Sequence, residues 1–167
     1  MSDTLYFGYG TYLDDDEAKN YVPGARVVTT GVAKNRKFEL RAFEGRTDRG
    51  YCHITDTIDA LGSEVRGIIF EHDPKYFCEY PGFERFFLTV YGDDGRMYEC
   101  WSLRMTDPGV AMRPPDYYWK HIYDGLSKSG FPDDYVKSIY ETYEAALPCP
   151  DPGRPEPAPA APIDAKA

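Results

Sequence analysis

Glycine alternates with aromatic residues in Tyr6-Phe7-Gly8-Tyr9-Gly10-Thr11-Tyr12-Leu13, and the acidic run Asp14-Asp15-Asp16-Glu17 follows at once. Aromatics favour an extended strand, glycine lets another group approach the backbone, and acids suit the first turn of a helix. A strand that stops in such a turn can aim several N–H groups at one oxygen, and so can hold a carboxylate or a carbonyl without a basic side chain. The same residues also make a plain hairpin or strand-to-helix turn, and local sequence does not separate the two. A second chemical candidate is Glu79, within Asp73-Pro74-Lys75-Tyr76-Phe77-Cys78-Glu79-Tyr80-Pro81-Gly82-Phe83-Glu84-Arg85. Phe77, Tyr80 and Phe83 flank it. A carboxylate among aromatics loses hydration, which disfavours its charged form and moves its pKa towards the range useful to a general acid or base. The other reading of Glu79 is a salt bridge to Arg85 or a solvated loop acid.

The remaining reactive side chains are scattered. Cys52, Cys78, Cys100 and Cys149 lack any Cys-x-x-Cys spacing, so they read as reduced packing residues rather than a zinc knuckle or redox pair. His53, His72 and His121 form no pair that would share a helical face, and no metal or other cofactor is expected. Each histidine reads as a hydrogen-bonded surface or boundary residue. Cys78, or Cys52 beside His53, could be the nucleophile of a cysteine hydrolase. Neighbours on a strand point to opposite faces, which weakens the second pairing.

These residues need a framework. The first strand and a short acidic helix near residues 14–21 lead to a turn at Val22-Pro23-Gly24-Ala25. Six segments rich in Val, Ile, Thr, Tyr and Phe follow: Arg26–Ala33, Arg36–Phe43, Gly50–Thr57, Glu64–Glu71, Phe83–Tyr91 and Arg96–Met105. Asp93-Asp94-Gly95 between the last two predicts a hairpin. A meandering, largely antiparallel sheet of six or seven strands, closed into a barrel to remove its edges, is expected. After Pro114-Pro115 the period changes. Asp116 opens a helix through Lys128, with Tyr118, Ile122, Tyr123 and Leu126 at helical spacing. Gly130-Phe131-Pro132 stops it, and Asp133 starts a second helix with Val136, Ile139, Tyr140 and Tyr143 on one face. The fold class is therefore α+β: a small mixed, mainly antiparallel β-barrel with flanking helices. Residues 1–147 form one domain, and the Pro- and Ala-rich residues 148–167 form a tail whose composition predicts disorder.

The chain has 167 residues, room for one domain with a complete core. Its net charge of −9 argues against nucleic acid or an anionic membrane as a partner. With no membrane-spanning stretch and no signal-like start, a cytoplasmic protein acting on a small molecule, as a monomer or homodimer, is expected.

The pieces converge on a family. Tyr6-Phe7-Gly8-Tyr9-Gly10, then Pro23-Gly24-Ala25, Gly31-Val32-Ala33 and Arg36–Leu40, are followed by Gly62-Ser63-Glu64-Val65-Arg66-Gly67-Ile68. Glu79 then stands four residues before Phe83-Glu84-Arg85, and Pro114-Pro115-Asp116-Tyr117-Tyr118 opens a helix containing Gly125. Over residues 4 to 146 the chain resembles the gamma-glutamylcyclotransferase-like family, also called AIG2-like. The resemblance implies an enzyme whose substrate, a gamma-glutamyl amine or gamma-glutamyl amino acid, attacks its own gamma-carbonyl with its alpha-amine, releasing 5-oxoproline without an enzyme nucleophile or a metal. It assigns proton transfer to Glu79, holding of the glutamyl group to Gly8, Tyr9, Gly10, Thr11 and Tyr12, and the pocket wall to Tyr6, Arg85 and Tyr118. Two positions depart from the family pattern. Tyr12 stands where a compact asparagine is usual, and no Leu-Asp pair precedes Glu79, so Glu71 and Glu84 are alternative alignments. A fold that keeps the pocket as a catalytically inactive binding or interaction domain is the other functional reading. The amine half of the substrate would meet Tyr12, Tyr80, Tyr117 and Trp119, an aromatic wall suited to an apolar or cationic group, or else these rings serve ordinary packing.

Overall fold

The computed structural model describes residues 4–76 and 80–158. Its strands are β1 (Leu5–Gly8), β2 (Arg26–Lys34), β3 (Lys37–Phe43), β4 (Tyr51–Thr55), β5 (Glu64–Glu71), β6 (Phe83–Gly92), β7 (Met97–Met105) and β8 (Pro108–Ala111), and its helices are α1 (Asp15–Tyr21), α2 (Asp116–Ser129) and α3 (Asp133–Ala145). Five strands close a barrel in the order β1-β5-β2-β6-β7, and β4-β3-β8 make a separate sheet.

A single meandering sheet is thus corrected to a five-stranded barrel plus a second sheet. Only β6 and β7 are sequential barrel neighbours joined by a hairpin, through the predicted Asp93-Asp94-Gly95 turn, where Gly95 takes φ +84°. β3 and β4 pair with each other instead of continuing the barrel, because Phe38, Leu40 and Ala42 alternate with outward residues and need a face of their own to cover. β8 escapes composition-based detection: Pro108 and Gly109 are breakers by type, yet the segment pairs with β3 at the edge of the small sheet. Gly50, Asp56 and Thr57, read as strand residues, flank β4.

The barrel closes where β1, antiparallel to β5, also runs parallel to β7 with Tyr6 opposite Trp101. Ser102 is fully buried and its Oγ donates 2.6 Å to the Phe7 carbonyl, pinning that seam. Phe7, Val65, Ile69, Phe70, Val90 and Cys100 fill the interior, and Leu40, Ile54 and Ile122 extend the core beneath the small sheet and α2. The turn after β1 is a short 3-10 segment, Thr11–Leu13, ending on Asp14, whose carboxylate caps α1 by accepting from the Asp16 N–H. α2 begins one residue after Pro115, and α3 one residue after Pro132. Beyond Leu147, which accepts the Arg113 N–H, the chain to residue 158 lies along the domain. Cys149 is buried, Pro152 accepts the Asp116 N–H, and Arg154 hydrogen-bonds the Asp48 carbonyl. Composition misses these contacts because polar anchors substitute for the apolar residues that the segment lacks.

Candidate active site

The turn that follows β1 is held from two sides. Tyr9 is buried and its hydroxyl donates to the Leu103 carbonyl of β7 at 2.6 Å. Gly10 lies against β4: a Cβ there would stand 2.6 Å from Cys52 Sγ, so only glycine lets the turn approach that strand. α2 crosses the far end of the turn at Gly125, where an added Cβ would meet the Leu13 carbonyl carbon at 2.3 Å. This contact sets Tyr117, Tyr118 and His121, on the first two turns of α2, above the glycine loop.

A cavity of about 310 Å³ opens between the loop, β4, α2 and residues 156–157. That is enough for a small ligand. Of the residues predicted to form a site, Tyr6, Tyr9, Gly10, Thr11, Tyr12 and Tyr118 all line it, as do Tyr80 and Tyr117. Gly8 and Arg85 are not among the lining residues. Gly8 packs in β1 against Tyr12, Phe70 and Tyr6, and the Arg85 guanidinium lies 4.6 Å from the Trp101 ring centroid. Glu79 falls outside the described residues. The alternative acids are not among the lining residues: Glu71 pairs with Arg26, and Glu84 pairs with Arg104 at 2.7 Å. Trp119 stacks on Tyr143 of α3 with centroids 4.1 Å apart.

Tyr6 and Tyr118 are neutral phenols. Burial, aided by neighbouring Tyr80, raises the Tyr6 pKa, and burial with Cys52 nearby raises that of Tyr118. They can therefore donate and accept hydrogen bonds near neutral pH but do not supply a base. Tyr118 Oη accepts from the Cys52 N–H at 2.9 Å, and the Tyr12 and Tyr80 hydroxyls share a hydrogen bond of 3.1 Å. Cys52 also borders the cavity, but burial pushes its thiol up to about 12. His53 sits elsewhere, with its Nδ1 accepting the Met105 N–H at 3.0 Å. The two do not form a thiolate-imidazole pair.

Several cavity residues escaped the sequence reading. Arg49, only 6% exposed, comes from the loop before β4. Its Nη1 donates to Tyr117 Oη at 2.6 Å, Nε to the Gly50 carbonyl at 3.3 Å, and its guanidinium lies 4.1 Å from the Tyr51 ring centroid. Glu17, His121 and Glu156 meet at the cavity's rim although 139 residues separate the first from the last, with ligand-type atoms within 4.8 Å of one another. His121 Nδ1 is 3.1 Å from Asp14 Oδ2, and its Nε2 is 3.0 Å from Glu156 Oε1 and 3.3 Å from Glu17 Oε2. No spacing rule joins a first-helix acid, a mid-helix histidine and a glutamate of the Pro-rich segment. Burial would lower the His121 pKa, but the hydrogen bonds to Asp14 and Glu156 and the charge of Glu17 raise it overall. Glu17 is itself raised, by burial and by Glu156, against the opposing charge of His121.

No protein-family model and no curated protein matches the sequence. Solved structures do match the fold. A gamma-glutamyl cyclotransferase superposes with a TM-score of 0.75 at 20% identity over 92% of this chain and 93% of that one. The human protein loc79017 gives 0.72 at 20% identity, with the same coverage. YkqA from Bacillus subtilis gives 0.70 at 16% identity, over 87% of this chain and 55% of its own length. The five-stranded mixed barrel, the three-stranded sheet and the helix laid over the glycine turn together make this chain a gamma-glutamyl cyclotransferase-like fold.

Proposed function

We propose that the protein is a gamma-glutamyl cyclotransferase acting on a gamma-glutamyl amine or gamma-glutamyl amino acid. The observation that carries this reading is the convergence of the post-β1 glycine turn and the tyrosines of α2 on one cavity of about 310 Å³. The reaction asks little of side-chain chemistry. The substrate alpha-nitrogen forms a bond to the gamma-carbonyl carbon and the gamma-amide C–N bond breaks; of the two protons that the alpha-ammonium gives up in becoming a lactam N–H, one goes to the departing nitrogen as it leaves and the second converts the released amine to its ammonium form. Nucleophile and electrophile belong to one molecule, so holding it folded contributes the effective molarity that two separate reactants lack. In this proposal the developing oxyanion is held by backbone N–H groups of the turn between Tyr9 and Tyr12. Glu79 is the proton carrier in this proposal, a role worth on the order of 10²–10⁴ in rate.

In this proposal the amine half of the substrate meets Tyr12 and Tyr80, which line the cavity and whose rings favour an apolar or cationic group. Incubating the full chain with gamma-glutamyl amines and gamma-glutamyl amino acids and measuring 5-oxoproline tests the proposal. Release by the wild type that falls at least about 100-fold in Glu79→Gln is the expected result. Equal release by both removes Glu79 from the mechanism. Tight binding of the same compounds without 5-oxoproline favours the inactive binding domain instead.

A further inference from the structure

Arg49 is a buried cation without a carboxylate. Among the described residues none forms an ion pair with it, and its Nη2 has no hydrogen-bond partner although the atom is inaccessible to bulk water. The neighbouring Asp48 turns its Oδ2 to Arg46 at 3.0 Å and Arg154 at 3.8 Å, its Oδ1 is buried without a hydrogen-bond partner, and it forms no ion pair with Arg49. A guanidinium removed from water and left without a counter-charge is costly, and such groups are normally paired. The fold nevertheless holds this one firmly. Tyr117 Oη and the Gly50 carbonyl fix two of its nitrogens, and Tyr51 and Tyr118 lie 4.1 Å and 5.1 Å from it by ring centroid. These contacts orient the guanidinium and satisfy part of it; Nη2 stays unsatisfied, and Arg49 lines the cavity.

We infer that Arg49 is the anion receptor of this cavity and takes a ligand carboxylate on its guanidinium, which for the reaction proposed above is the alpha-carboxylate of the glutamyl group. This rests on that reading for the identity of the carboxylate, not for its existence. Guanidinium binds carboxylate with charge-assisted hydrogen bonds in fixed geometry, and the aromatic floor keeps water from competing. The consequence is a division of labour. With the carboxylate held by a side chain, the N–H groups of the glycine turn are left for the gamma-carbonyl oxygen, where negative charge grows during attack. In a chain of net charge −9, Arg49, the one buried arginine or lysine among the described residues, also selects the anionic end of the substrate and so fixes which way round it enters.

Calorimetric titration of the full chain with 5-oxoproline, its neutral carboxamide, and glutarate tests the inference. In the wild type the acid should bind roughly 10- to 100-fold more tightly than the carboxamide, the range for a hydrogen bond to a charged group. In Arg49→Met that preference should shrink to within about twofold, and Arg49→Lys should keep part of it. Equal wild-type binding of acid and carboxamide, no binding of either carboxylate, or an unchanged preference in Arg49→Met overturns the inference. If the variants do not fold, a crystal structure of the wild type with glutarate decides: the carboxylate on the Arg49 guanidinium supports the assignment, and a carboxylate bound elsewhere in the cavity refutes it. Glutarate binding that depends on Arg49, without 5-oxoproline formation from any gamma-glutamyl compound, keeps the anion receptor and removes the cyclotransferase. Turnover with an Arg49-independent carboxylate preference does the reverse.

Discussion

Gly10 and Cys52 touch where the glycine turn meets β4, and both border the cavity. An alanine Cβ at position 10 would lie 2.6 Å from Cys52 Sγ and 3.0 Å from Cys52 Cβ, closer than side-chain atoms pack. Neither residue can retreat easily, because Tyr9 is tied to Leu103 on one side and the Cys52 N–H to Tyr118 on the other. Gly10→Ala should therefore cost about 1–3 kcal/mol, the usual range for overpacking. In a Cys52→Ala background the sulfur is gone and only the Cβ contact remains, so the same substitution should cost measurably less. A double-mutant cycle read by urea unfolding checks this, and additive costs would mean that the strain lies in the turn itself rather than in the contact. The sequence showed the need for glycine at this turn, since the residue types around it announce a close approach. It did not show what approaches. Arg49 was harder still: it sits in a polar loop, and nothing in Thr47-Asp48-Arg49-Gly50 distinguishes a buried guanidinium from a solvated one.

At the level of elements, one contact sets the site's geometry: α2 lying across the turn at Gly125. Glycine within a helix is a weak helix former, and Gly125→Ala would gain about 1 kcal/mol of intrinsic propensity in an exposed helix. Here the new methyl would meet the Leu13 backbone at 2.3 Å to C and 2.6 Å to O, atoms that move only if the turn or the helix moves. With overpacking at about 1–3 kcal/mol, the clash outweighs the propensity gain. Gly125→Ala should lower the melting temperature by a few degrees and, by lifting Tyr117 and Tyr118, weaken ligand binding as well. A higher melting temperature would mean that α2 is not seated on the turn as described. The helix itself was legible in Pro114-Pro115-Asp116 and in the 3.6-residue spacing of Tyr118, Ile122 and Leu126, as were the β6–β7 hairpin and the acidic start of α1. The parallel seam between β1 and β7 was not. Tyr6 and Trp101 are 95 residues apart, and periodicity reports which face of a strand is buried but not which strand it meets.

On the scale of the whole molecule, His121 joins the chain's beginning, middle and end. Asp14 and Glu17 approach it from the α1 region, Glu156 from the C-terminal segment, and Lys128 of α2 lies 3.5 Å from Asp14. Both imidazole nitrogens face carboxylates, so the doubly protonated ring is the form that satisfies them. Its folded pKa is raised above 6.5, which means that the stabilisation it brings is complete below 6.5 and disappears as pH rises through the folded value. Asp14 sets the other limit. Burial alone would raise it, but the hydrogen bond from His121 and the charge of Lys128 bring it below 3.8, so its contribution is lost only as pH falls through that depressed value. Glu17 has the opposite sign from Asp14, because a raised carboxyl pKa means that its ionisation costs stability at higher pH. The stability difference between the wild type and His121→Gln should accordingly form a plateau between 3.8 and 6.5, about 1 kcal/mol in height, and decline above and below it. Glu156→Gln should lower the plateau, since Nε2 then keeps Glu17 but loses the nearer of its two carboxylates. Thermal unfolding of the three proteins at a series of pH values measures this directly. A difference that stays constant through the histidine range would assign the role of His121 to packing, and would leave the C-terminal segment held by Arg154, Pro152 and Cys149 without help from charge at position 121.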